Sequence, residues 1–116
     1  MSKRDSLLYI DDILESINAI NDFVKEMKYE EFYNDRKTYS ATIREFIVIG
    51  EAIVQIISIL EKEYPMYPWR ILKDFRNFIV HEYFGVNPQI VFDAATQELE
   101  ELEEIMQKIK VVYDSE

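Results

Sequence analysis

The sequence has no cysteine, one histidine, one tryptophan, two glycines and three prolines among its 116 residues. Each scarcity removes a class of protein. Without cysteine there is no disulfide scaffold and no thiolate metal site, and a single histidine cannot build a multi-histidine zinc site within one chain. No metal and no cofactor are therefore expected. So few glycines and prolines, all but Gly50 placed where helices should end, do not suit the turn-rich connections of an all-β sandwich. Positive charge is also short: 13 Lys and Arg stand against 23 Asp and Glu, a net charge of −10. That balance argues against a basic surface that coats nucleic acid non-specifically. Uninterrupted apolar runs are missing too. The richest, 43–60, is broken by Arg44, Glu45, Glu51 and Gln55, which a bilayer span would resist, so no membrane association is expected. Met1-Ser2-Lys3-Arg4-Asp5 leads into an amphipathic pattern carrying Asp11, Asp12 and Glu15 rather than a signal peptide. A cytoplasmic location fits best.

What is present is a core. With 48% hydrophobic and 14% aromatic residues, the chain is long enough to bury one, and 1–116 reads as a single domain. Ile10, Ile13, Leu14, Ile17, Ile20, Val24 and Met27 follow three-and-four spacing and predict a first helix over 5–27. Residues 28–37, with Tyr29, Phe32 and Tyr33 among polar neighbours, predict a short extra helical turn near 29–36. The longest helix is expected over 38–63, apolar nearly all round and so covered on most sides. Gly50 in its middle implies a close helix crossing or a ligand approach, because a helical glycine otherwise costs roughly 1 kcal/mol. Residues 63–68 form a loop, since each residue before a proline is pushed out of the helical region. A third helix runs from Pro68 to about Tyr83. Asn87 and Pro88 then make a cap and first turn for a fourth, whose inward positions are Ile90 or Val91, Ala95, Leu102, Ile105, Met106, Ile109 and Val112. Glu98, Glu100, Glu101, Glu103 and Glu104 alternate with those positions and form a solvated face. Short connections between four helices imply an all-α, up-and-down antiparallel four-helix bundle.

The stretch 68–86 holds the only tryptophan and the only histidine. On a helical wheel Ile71, Leu72, Phe75, Phe78 and Ile79 share one sector and are expected to face the core. The other side gathers Arg70, Lys73, Arg76, Asn77 and His81, but also Trp69, Val80 and Phe84. Apolar side chains among cationic ones suggest a second surface, meeting a partner chain or a stacked ligand. Its polar residues suit acid–base chemistry at a phosphate. Histidine moves a proton near neutral pH, and arginine offers a planar fork of donors to phosphate oxygens. RNA can be cut that way without metal, its own 2′-hydroxyl acting as nucleophile. Singly, each residue has a plainer explanation: His81 can simply complement a helix C-terminus, and Asn77 can bond it at i, i+4. Arg76 and His81 are also about 140° apart on an ideal helix, too far round to converge unless the helix loosens or a second copy contributes. Glu51 lies on a polar stripe with Arg44, Gln55 and Ser58. Either Arg76 or Arg70 pairs with it, or the stripe reaches solvent.

The string Arg76-Asn77-Phe78-Ile79-Val80-His81-Glu82-Tyr83 resembles the R-x4-H-x-Y motif of the HepT branch of the HEPN superfamily, and Pro68-Trp69-Arg70 and Phe84-Gly85-Val86 look like its flanks. That resemblance implies a small helical domain acting as an RNA-cleaving toxin. It implies a homodimer whose cleft unites Arg76 and His81 of both subunits, supported by Asn77, with Glu51, Arg70 and Lys73 as possible further help. It also implies a type VII-like toxin–antitoxin pair, in which an MNT-type nucleotidyltransferase antitoxin attaches AMP to the motif tyrosine, Tyr83. The alternative is a non-catalytic helical module that binds a nucleotidyltransferase partner or a nucleotide. A plain structural dimer is the third possibility.

Overall fold

The computed structural model describes residues 1–81 and 87–115, apart from the side chains of 78–81. Helix α1 spans Lys3–Val24 and starts where the Ser2 hydroxyl accepts the Asp5 N–H at 3.1 Å. It stops before the expected end at 27, because Lys25 leaves helical geometry and Glu26 takes a left-handed φ of 59°. The short turn anticipated near 29–36 is α2, Tyr29–Tyr33, held by fully buried Phe32. Phe32 meets Tyr39 edge-on at 5.8 Å and Phe92 at 5.2 Å, so an aromatic cluster pins this connection.

Helix α3, Arg36–Glu63, begins two residues before the expected start. Asp35 sets that point: its carboxylate accepts the Thr38 N–H at 3.0 Å and the Thr38 hydroxyl at 2.8 Å. Those two bonds favour the ionised form and hold the Asp35 pKa below its ordinary value. The helix is not continuous, as Ile56 departs from helical geometry at φ −121° and ψ 21° while staying buried. Helix α4, Trp69–His81, returns antiparallel along it, bringing Phe75 edge-on to Phe46 at 5.5 Å and Arg70 to Glu61 at 3.4 Å.

The last helical segment breaks into three: α5 (Pro88–Asp93), a π turn (Ala94–Glu98) and α6 (Leu99–Ser115). Its start is as expected, with Asn87 accepting the Gln89 N–H at 2.9 Å and Pro88 in the first turn. The π turn is a departure. Val91, Ala95 and Leu99 are all buried and recur at steps of four, wider than the 3.6-residue period. One wider turn keeps all three pointed at the core. Of the two positions expected at its start, Val91 is the one inside, whereas Val112, also expected inside, is half-exposed. The glutamates Glu98, Glu100, Glu101 and Glu104 are exposed, as their spacing implies.

Helix α6 lies antiparallel to α1, tied at three levels by Lys3 to the Asp114 carbonyl (3.2 Å), Asp11 to Lys110 (2.7 Å) and Asn21 to Glu103 (3.3 Å). The Asp11 carboxylate raises the Lys110 pKa. Ile10, Ile13, Ile17 and Ile20 of α1 meet Ile43, Ile49 and Ile53 of α3 and Leu102, Ile105 and Met106 of α6 in one core. The described residues thus form an all-α bundle with α3 at its centre. Among them no helix is long and apolar enough to cross a membrane.

Candidate functional site

Helix α4 is rotated relative to the sequence expectation. Trp69 is 1% exposed and donates its indole N–H to the Tyr64 carbonyl at 2.9 Å, with Tyr67 packed on its ring at 4.7 Å. It is a core residue and does not belong to a second surface. Ile71, expected inside, is 64% exposed. The inward stripe is Trp69, Leu72 and Arg76, at steps of three and four, with Phe75 beside it. An arginine on that stripe escapes any count of apolar positions. This is the feature that sequence reasoning missed, and the W-x2-L-x3-R spacing was the signal for it.

Arg76 reaches α3 because Gly50 leaves room. A Cβ at position 50 would overlap both Cβ and Cγ of Arg76, so the glycine marks a close helix crossing with the arginine stem laid over it. The next residue, Glu51, forms an ion pair with Arg76 Nη2. From the other side Arg76 Nη1 donates to Asn77 Oδ1 at 2.7 Å. Arg76 Nε is buried and has no hydrogen-bond partner among the described residues. Both open readings of Glu51 hold together: the stripe Arg44, Glu51, Gln55 and Ser58 is exposed, and Arg76 is the partner.

Arg76, Asn77 and Glu51 therefore form one cluster. The exposed Arg70 stands apart on Glu61, and Lys73 is half-buried without a hydrogen bond or ion pair among the described residues. His81 closes α4, five residues after Arg76, but its side chain and that of Val80 lie outside the described residues. So do Tyr83 and Phe84. Chemically the described part offers a planar, partly buried cation with a free inner donor, one carboxylate and one carboxamide. Of these groups the guanidinium is the one whose planar donors match phosphate oxygens. Among the described residues no group of three His, Cys, Asp or Glu side chains could hold a metal ion.

Two other tyrosines flank the loop before α4. Tyr67 is half-buried, and its phenol is pushed up to about 12 by burial, with the Glu101 and Glu98 charges adding to the effect. A phenol so reluctant to ionise is a poor nucleophile.

Residues 13–109 match the family described as Ribonuclease HepT-like. A provisionally named RNase of Methanocaldococcus jannaschii is 36% identical over 114 residues, covering 95% of this chain and 94% of its own. A second of that organism is 38% identical over 109 residues, covering 94% and 90%. A protein of Thermococcus cleftensis named "Probable ribonuclease HepT" is 32% identical over 108 residues, covering 93% and 98%. No solved structure matches.

Proposed function

The chain belongs to the HepT-like ribonuclease family, and from that premise we propose that it is a metal-independent endoribonuclease, the toxin of a toxin–antitoxin pair. The observation that carries the reading is the Arg76 cluster: an arginine seated on Gly50, bonded to Asn77, five residues ahead of a histidine that ends the helix. Arg76 takes a phosphate oxygen and stabilises the charge that grows there as phosphorus becomes five-coordinate. His81 accepts the 2′-hydroxyl proton while that oxygen attacks phosphorus. The 5′-oxygen leaves with its bonding electrons and takes a proton, so the products are a 2′,3′-cyclic phosphate and a 5′-hydroxyl. Either His81 of a dimer serves as the acid or base.

A homodimer supports this chemistry for a geometric reason. Arg76 points toward α3, and His81 follows about 140° round the helix axis on ideal geometry, so a second subunit's His81 completes the site more directly than the same chain's. Tyr83 is the proposed acceptor of AMP from an MNT-type nucleotidyltransferase: its phenol gives up its proton to a base of that enzyme, the oxygen bonds to the α-phosphorus of ATP, and pyrophosphate leaves. Half-burial of Tyr67, which leaves its phenol less open to a transferase, argues against that neighbour as the acceptor. The added phosphate then occupies Arg76 as a substrate phosphate would.

The test is cleavage of an RNA oligonucleotide in excess chelator, with the products identified by mass. Cyclic-phosphate ends, and resistance of the same sequence carrying 2′-deoxyribose, are expected. Activity that vanishes with chelator overturns the mechanism. The net charge of −10 and the occupied Arg76 favour a second reading, a non-catalytic module that docks its nucleotidyltransferase through the same face. Protein free of RNase activity that still forms a stable stoichiometric complex would select it.

A further inference from the structure

We infer that Glu51 is an internal counter-ion of Arg76, holding the phosphate-binding site closed until a substrate phosphate displaces it; this rests on the reading of Arg76 as the phosphate ligand. The geometry of the cluster is asymmetric. The Arg76 side chain is 23% exposed and that of Glu51 is 49% exposed. An arginine so far out of water needs an anion beside it, whereas a half-exposed carboxylate recovers hydration when it swings away. Glu51 is therefore the partner that can leave. Its neighbours along the stripe, Gln55 and Ser58, are exposed and leave it a solvated path.

The remaining contacts fix the guanidinium while that exchange happens. Gly50 seats the stem, Asn77 Oδ1 holds Nη1, and the buried Nε is a donor with no acceptor among the described residues. A phosphate arriving in place of the Glu51 carboxylate meets a planar, oriented fork, and a tetrahedral anion has oxygens to spare for the unused donor. Because Gly50 and Glu51 are adjacent, one turn of α3 both admits the arginine and neutralises it. Weak or diffuse anions are thereby held off.

Side-chain Nε–Hε NMR of ¹⁵N-labelled protein reads this without any cleavage. The Arg76 signal is assigned by its loss in Arg76→Lys and followed while inorganic phosphate is added. Removing the competing charge of a partly exposed pair should tighten phosphate binding at Arg76 by roughly two- to fivefold in Glu51→Gln. Glu61→Gln, the same charge change on the exposed Arg70 pair, should leave the Arg76 midpoint at the wild-type value. A Glu51→Gln ratio below about twofold overturns the proposal, as does an equal shift in Glu61→Gln, which would mean general electrostatics. Should Glu51→Gln lose its cooperative melt, Glu51→Asp keeps the charge and shortens its reach: tighter binding than wild type supports the counter-ion, and an unchanged midpoint overturns it. An absent RNase activity would remove the ribonuclease reading and leave this result standing.

Discussion

Gly50→Ala tests whether the seat of Arg76 matters beyond stability. In an ordinary helix interior, alanine in place of glycine gains roughly 0.8–1 kcal/mol of propensity. Here the new methyl overlaps Cβ and Cγ of Arg76, the stiff root of the side chain rather than its flexible end. Rotamer change cannot clear it, so α4 must retreat from α3 by roughly 1 Å, at an overpacking cost of about 1–3 kcal/mol. The two effects leave a net destabilisation between about 0 and 2 kcal/mol. For a domain of this size each kcal/mol moves Tm by roughly 3–6 °C, so a fall of up to about 12 °C is expected by circular dichroism. Activity should fall further than stability does, because a displacement near 1 Å at a positioning group costs up to about 10²-fold in rate. Cleavage of an RNA oligonucleotide well below Tm, where the variant remains folded, separates the two. A variant that melts higher than wild type and cleaves as fast would refute the crossing and the role of the arginine seated on it.

Trp69→Phe removes the indole donor from the Tyr64 carbonyl and should cost about 1–3 kcal/mol in urea unfolding; because the indole is already buried in one chain, its fluorescence maximum should not move as the wild-type protein is diluted, and a red shift on dilution would return Trp69 to an interface. Asp35 has a folded-state pKa below 3.8, so its contribution is complete above 3.8 and is lost as pH falls through the lower folded value. Asp35→Asn keeps a cap acceptor but cannot titrate, and the difference in Tm between the two proteins should shrink only under those acid conditions; a difference that changes instead between pH 6 and 8 would contradict the assignment. Co-expression with a nucleotidyltransferase encoded beside the gene should add one or more AMP masses mapping to Tyr83, absent in Tyr83→Phe; an adduct on Tyr64 or Tyr67 would defeat the choice of acceptor.

Periodicity made the bundle legible because burial follows side-chain spacing directly. The isoleucines of α1, the cap at Asn87 and Pro88, the aromatic anchor at Phe32 and the glutamate face of α6 all fall where spacing and capping chemistry place them. Departures arise where two helices, not one, decide the outcome. The rotation of α4 follows from Gly50 accepting Arg76, a contact between residues 26 positions apart that no wheel of either helix alone reveals. The π turn answers steps of four in Val91, Ala95 and Leu99, a spacing that a search tuned to 3.6 passes over. The kink at Ile56 has no sequence signal that we can name, since neither glycine nor proline stands there. At the site, the sequence motif selected Arg76 and Asn77, and Gly50 and Glu51 drew notice for separate reasons. Their union with Arg76 became visible only in the packing of α3 on α4.

In the proposed mechanism His81 moves the proton while Arg76 holds the phosphate. The most direct measurement is the single-turnover rate of RNA cleavage by wild type, His81→Ala and Arg76→Ala, in excess chelator and with each variant's melting recorded alongside. Positioned proton transfer is worth about 10²- to 10⁴-fold, so His81→Ala should lose that much rate while remaining folded. Cleavage by folded His81→Ala at the wild-type rate would contradict the account.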